Sequence, residues 1–323
     1  MKRLTATYSF ALLLAIFTVP PPAFSQIREV RTIPLVAMTH DGRVVGGLTA
    51  QNLRVRGING RVDKVTLDAG PRHIILLLDV SGSMREESDP SAWDKARELA
   101  NAFLEQVSPE DWIALDVFAE REKEIVPFTH DFASIRAAIQ SLPSPGSKQA
   151  NHVYGDMTFA GDAIAAILYK PNQTMGFGDS IVFFSDGRLT GNDAADSKLP
   201  LGSICPELER RQVRVFLALA SSKTAVQLRL GDLGPGESAV TDAKRLVAMT
   251  GGATFEPIMP LAERMATLYL VIQGTYRTEL QLEQSLPKKK RLHLTLVDEK
   301  GKAIHNIILF YTEDLVPDSR TVR

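Results

Sequence analysis

The sequence predicts an α/β protein: a doubly wound, mostly parallel sheet flanked by helices, extended by a small β-rich module drawn from both ends of the chain. Three observations lead there. Between residues 71 and 272, apolar runs of strand length alternate with runs of helical period, the pattern of parallel strands joined by crossover helices. Several of these apolar runs are continuous rather than alternating, as strands covered on both faces require. The flanks, 26–70 and 273–323, show no helical period and read as short strands between turns.

The elements follow in order. "REVRTIPLVAM", "NLRVRGING" and "RVDKVTL" are strands, separated by turns at Asp41-Gly42 and Asn59-Gly60. "HIILLLDV" is a buried strand. "AWDKARELANAFLEQV" is a helix whose Trp93, Ala96, Ala100, Phe103, Leu104 and Val107 share one stripe. "DWIALDVFA" and "EIVPFT" are strands, and "DFASIRAAIQSL" and "GDAIAAILY" are helices. "SIVFFSDG" and "QVRVFLALA" are further buried strands. "TDAKRLVAMTGG" is a helix, with Thr241 as its N-cap and Gly251 at its end. "PLAERMATLYLVIQG" is the last helix. "TYRTELQLE", "RLHLTLVDEKGK" and "AIHNIILFYTE" complete the strands. The two flanks together supply about six strands, enough for a small β-sandwich.

The chain has 323 residues, 44% hydrophobic and 23% charged, with net charge −1. This is ordinary globular composition, and its balance speaks against a nucleic-acid partner. Residues 1–25 read as a signal peptide: Lys2 and Arg3, an apolar core around Phe10–Val19, then small residues at Ala23 and Ser25. That core is short of the ~20 residues of a stable membrane span. The expected location is therefore periplasmic, cell-surface or secreted. The single cysteine, Cys205, makes no internal disulfide and reads as a small buried filler. "PKKKR" at 287–291 reads as a solvated hairpin turn, and oligomeric state is not encoded in any pattern here.

The chemistry sits in "LLLDVSGSM", residues 76–84. Asp79, Ser81 and Ser83 alternate by two on a loop that leaves a buried strand. A loop that curls around a point can aim one carboxylate and two hydroxyls at it, and Gly82 lets the backbone come close. Hard oxygen donors of this kind suit Mg²⁺ or Mn²⁺ rather than zinc. Mg²⁺ takes about six oxygens, so other strand ends must contribute. The candidates are Thr158 in "YGDMTFAGDAI" and Asp186 in "FFSDGRLTG".

These three segments, in this order, resemble the von Willebrand factor A (VWA) family and its metal-ion-dependent adhesion site (MIDAS). The resemblance covers roughly residues 71–270, and the N-terminal "VVGGLTAQNLRVRGINGRVDKV" is similar, more loosely, to lead-in strands of secreted bacterial VWA-containing proteins. It implies that Ser81, Ser83 and Thr158 bind metal through hydroxyls, and Asp79 and Asp186 directly or through water. It implies a protein partner presenting an Asp or Glu to the metal, and a last helix that can shift when ligand binds. The chain departs from the family where paired glycines often precede the threonine; here stand Gly155-Asp156-Met157. Asp162 supports a helix start, and Arg188 is placed to attract an acidic group or neutralise Asp156.

The expected function is an exported, metal-dependent protein-binding module for adhesion or assembly, with segments 1–25, 26–70, 71–272 and 273–323. The competing reading is a cell-envelope scaffold whose interactions ignore metal. A hydrolase comes last. Ser81 and Ser83 lack a Gly-x-Ser-x-Gly context, a second aspartate is missing at Ser81, and no phosphate loop or His-Glu-x-x-His run occurs. His152 near the threonine is the one candidate base.

Overall fold

The protein is described by a computed structural model over residues 29–85, 91–171, 175–188, 199–221 and 238–317. The leader, the acidic run around Glu86, Glu87 and Asp89, and the "LTG" that follows Arg188 lie outside the described residues. At the centre is β4 (His73–Asp79), whose residues from Ile74 to Asp79 have no exposed surface. It pairs in parallel with β5 (Trp112–Phe118) on one side and β7 (Ser180–Ser185) on the other. Beyond β7 come β8 (Arg214–Leu219) and the short β9 (Thr254–Phe255), also parallel. β6 (Glu122–Thr129) closes the opposite edge antiparallel to β5. The six-stranded order is β6-β5-β4-β7-β8-β9. The chain leaves β4 toward β5 and returns on its other side as β7. Strand order therefore switches direction at β4, where open α/β sheets form a ligand crevice.

Alternate residues of β4 feed two cores. Ile74, Leu76 and Leu78 pack with α1 (Ala92–Leu104), α2 (Phe132–Ser141) and α7 (Leu261–Gln273). Ile75 and Leu77 pack with α4 (Ala160–Leu168), α5 (Leu201–Arg211) and α6 (Ser238–Met249). Each buried aliphatic side chain stabilises the fold by about 1.5–3 kcal/mol. α1 begins at Ser91, whose hydroxyl accepts from the Asp94 amide. α5 and the short α3 (Lys148–Tyr154) add to the helices expected from sequence. Gly202 and Pro206 lower the helical propensity of α5, and burial of Leu201, Ile204, Cys205 and Leu208 outweighs them. α6 starts at Ser238, so Thr241 lies inside the helix rather than at its cap.

The flanks interleave. β1 (Glu29–Thr39) runs antiparallel to β10 (Tyr276–Leu282), from Glu29↔Leu282 to Leu35↔Tyr276. With β3 (Gly60–Leu67) and β13 (Ile307–Tyr311) they form a four-stranded sheet ordered β13-β1-β10-β3. Two ribbons, β2 (Leu53–Arg56) with β12 (His293–Leu296) and β11 (Lys290–Arg291) with β14 (Asp314–Leu315), pair separately. Leu35, Leu53, Leu280, Leu294, Leu296 and Leu315 join one cluster across these sheets. Val36, on the opposite face of β1, packs in the core that holds α7. The basic "PKKKR" stretch is partly paired: Lys289 lies 2.8 Å from Asp314 and Arg291 2.7 Å from Glu313.

Two buried charges tie parts together. Arg214, fully buried, donates to the carbonyls of Val271 (3.3 Å) and Ile272 (3.1 Å) and to the Thr275 hydroxyl. Its guanidinium also lies over the Phe216 ring, 4.9 Å from the centroid. It thus takes up carbonyls at the end of α7, which have no intrahelical donor, just where the chain enters β10. Burial, and then the charge of Arg72, lowers its pKa to about 9, so it remains a cation at neutral pH. Replacing Arg214 with alanine leaves those carbonyls and a cavity behind. Urea unfolding is expected to show a loss of about 3 kcal/mol or more.

Lys170, just past α4, reaches Asp116 on β5 (3.4 Å) and Glu122 and Glu124 on β6 (3.4 and 2.9 Å). Burial raises the Asp116 carboxyl from 3.8 to about 7; Lys170 opposes this, and Glu122 and Glu124 add to it. A carboxyl raised in the native state holds its proton better there than when unfolded. Its contribution to stability is therefore full below pH 3.8 and is lost as pH rises through 7. Without the lysine that loss deepens. Lys170→Met should cost about 2–4 kcal/mol near pH 8, and a pH series of unfolding curves should show the difference shrinking toward pH 5 as Asp116 takes up its proton.

Candidate metal centre

The serine loop is positioned by the register of β4. Asp79, its last residue, sits opposite Phe118 of β5, and the Val80 amide continues the pairing by donating to the Phe118 carbonyl at 2.9 Å. The loop then turns back on Asp79: the Ser81 amide donates to Asp79 Oδ1 at 3.0 Å. The hydroxyls of Ser81 and Ser83 converge to 3.3 Å. Asp79 and Ser81 are fully buried, and Ser83 is half-buried.

The threonine loop hangs on the end of β5. The Glu120 and Arg121 amides donate to the Tyr154 carbonyl at 3.0 and 3.1 Å, and the Phe159 amide to the Ala119 carbonyl at 2.9 Å. Glu120 Oε1 accepts from the amides of Asp156 (3.1 Å) and Met157 (3.3 Å). Gly155, at φ 86°, passes so close to Glu120 that a Cβ there would lie 2.4 Å from its side chain. This loop is bonded to the serine loop, because the Gly82 amide donates to the Asp156 carbonyl at 2.9 Å. Thr158 follows two residues later, 4% exposed. Asp162 falls in the first turn of α4, where it favours the helix start.

The third loop leaves β7. Parallel register sets Phe184 beside Leu78, which brings the next residues, Ser185 and Asp79, side by side. The Ser185 hydroxyl donates to Asp79 Oδ2 at 2.7 Å and accepts from the Gly187 amide at 3.0 Å. Asp186, 3% exposed, directs its amide at Met84 Sδ, 3.2 Å away, and accepts from the Arg188 amide at 2.9 Å. The Arg188 guanidinium is 3.9 Å from Asp186 and 44% exposed. Ser185, Glu120 and Met84 were not singled out from sequence. Their roles depend on register and loop contacts that no local pattern displays. His152 lies in the last turn of α3 and is exposed.

Burial raises the Asp79 carboxyl to about 7, the charge of Asp186 adds to the rise, and the hydrogen bonds from Ser81 and Ser185 oppose it. Two buried carboxylates of like charge thus influence each other in a crevice edged by hydroxyls. Among the described residues no group of three His, Cys, Asp or Glu is arranged to hold a metal. The side-chain oxygens that could be offered to a cation here are those of two carboxylates and of hydroxyls. An all-oxygen, hydroxyl-rich set fits a hard divalent ion and not one that prefers nitrogen or sulfur.

Comparison with curated proteins finds no match. Among solved structures the chain is similar to an aerotolerance-related membrane protein from Bacteroides fragilis, at 16% identity and TM-score 0.45, over 62% of this chain and 98% of that one. It is similar to a von Willebrand factor type A protein from Catenulispora acidiphila, at 11% identity and TM-score 0.44, over 83% and 75%. It is also similar to proximal thread matrix protein 1 from the mussel byssus, whose MIDAS motif is zinc-occupied, at 13% identity and TM-score 0.42, over 66% and 48%. Identities and scores this low say nothing about the site. Residues 74–188, which include Asp79, Ser81, Ser83, Thr158 and Asp186, match the model of the von Willebrand factor type A domain.

Proposed function

We propose that the protein is an exported, metal-dependent protein-binding module for adhesion or assembly. Mg²⁺, or Mn²⁺, would be held by Asp79, Ser81, Ser83, Thr158 and Asp186. The observation that carries this reading is the meeting of three loops at the switch point, with two buried carboxylates among hydroxyls. Two carboxylates only balance the charge of a divalent ion. Neutral hydroxyls donate less charge, so the ion stays electrophilic enough to attract a further carboxylate, here an Asp or Glu of a partner protein. No helix among the described residues is long and apolar enough to cross a membrane.

One observation favours the metal-independent scaffold. Asp79 already accepts from Ser81 and Ser185, and Asp186 has Arg188 nearby, so the crevice can be satisfied by protein groups alone. Pull-down from an envelope extract separates the two: capture in Mg²⁺ that is lost in EDTA supports the metal reading, and capture indifferent to EDTA supports the scaffold.

Asp79→Asn tests the site directly. It keeps the shape and removes a charge that burial and Asp186 both oppose. Without metal, the variant should equal or exceed the parent in stability, as a residue kept for function allows. With Mg²⁺ at 100-fold over its Kd, the parent should gain about 2.7 kcal/mol. The variant should gain none, as a melting curve with and without the ion will register.

A further inference from the structure

A cavity of about 320 Å³ lies between α5 and the C-terminal part of α6, and none of its lining residues belongs to the metal centre. Its size falls in the range of small-molecule sites. Leu201 and Cys205 of α5, with Leu246 and Met249 of α6, give it apolar walls. Burial pushes the Cys205 thiol up to about 11, so at neutral pH it is uncharged and packs as an apolar group. The Ser203 hydroxyl is already committed, donating to the Pro200 carbonyl at 2.7 Å. Among the lining side chains that leaves Arg245 as the polar group on offer. Its guanidinium makes no ion pair and no hydrogen bond among the described residues. Lys289, the other cation whose charge reaches Cys205, is paired with Asp314. Gly202 completes the wall. A Cβ there would meet nothing within 4 Å, and its backbone is not in the left-handed region. Glycine weakens a helix relative to alanine, and neither crowding nor backbone angle requires it here. Its effect is to leave this wall of the cavity without a side chain.

We propose that this cavity is a second binding site, for a small amphipathic carboxylate: a short aliphatic acid whose hydrocarbon part fills the space between α5 and α6 and whose carboxylate pairs with Arg245. Walls of leucine, methionine and neutral thiol favour hydrocarbon over water. A single uncompensated guanidinium, itself exposed at the rim, favours one anionic end, which it can hold through two parallel hydrogen bonds. An amine of the same length would be repelled, and an alcohol would forgo the ion pair. The site uses no residue of the metal centre, so it stands or falls apart from the metal reading.

Octanoate is the probe, with octanol and octylamine beside it, all in EDTA so that the metal centre takes no part. Titration calorimetry on the full chain should show octanoate binding roughly tenfold tighter than octanol, or better, and no binding of octylamine. Arg245→Gln should bring octanoate down to the level of octanol and leave octanol unchanged. Gly202→Leu puts a side chain into the open space; it should bind neither compound and melt no lower than the parent. Gly202→Ala adds one methyl and should bind like the parent. Octanoate should also slow the reaction of Cys205, the one cysteine of the chain, with a methanethiosulfonate. Octanoate that binds the parent no better than octanol, that binds Gly202→Leu as well as the parent, that leaves the Cys205 rate unchanged, or that does not bind at all overturns the assignment.

Discussion

The burial of β4 on both faces is the constraint on which the rest depends. A strand covered by helices on each side must be paired along both edges, since no water reaches its backbone. That pairing sets β5 and β7 in parallel against it and ends all three strands at one level. The loops beyond them then have nowhere to go but over the same crevice. Asp79 reaches that crevice at the end of an apolar run, which is why a carboxylate is found with no exposed surface. Its neighbours reflect the same constraint: Ser185 reaches it through the β4–β7 register, and Ser81 through the turn that caps the strand.

The loops are fastened to each other as well as to the sheet. The Gly82–Asp156 bond joins the serine and threonine loops, and Glu120 anchors the latter to the turn after β5. Hydroxyl ligands are weak singly, so a site built on them needs this kind of preorganisation. At the other end of the sheet, Arg214 and Arg72 gather carbonyls at the end of α7. The flanking β-sheet is attached at that point, through β10 and through Val36 of β1. One helix end and two buried guanidinium groups thus lie where the helical core meets the module made from both flanks.

How much of this could be read from the chain varies with the kind of signal. "HIILLLD" and "SIVFFS" announce buried strands, since a continuous apolar run of that length has few other uses. α5 gave no such signal, because Gly202 and Pro206 argue against a helix that packing nonetheless imposes. The start of α6 differs from the sequence expectation for a related reason: Thr241 reads as a cap in isolation, and the helix begins earlier, at Ser238. In the site, Asp79, Ser81 and Ser83 lie close in sequence and could be recognised together. Ser185 could not, because its partner is 106 residues away and the match depends on strand register.

The sequence by itself determined the alternation of strands and helices, the β character of the flanks, and the residue types able to hold a hard cation. Those follow from local periodicity and side-chain chemistry, which need no knowledge of what lies across the fold. Tertiary structure alone decided that the two flanks share a sheet, that Ser185 completes the surroundings of Asp79, and that Asp156 rests on Gly82. Each of these is a meeting of segments distant in the chain. It is set by strand register and loop closure, where a shift of one residue would turn every side chain away.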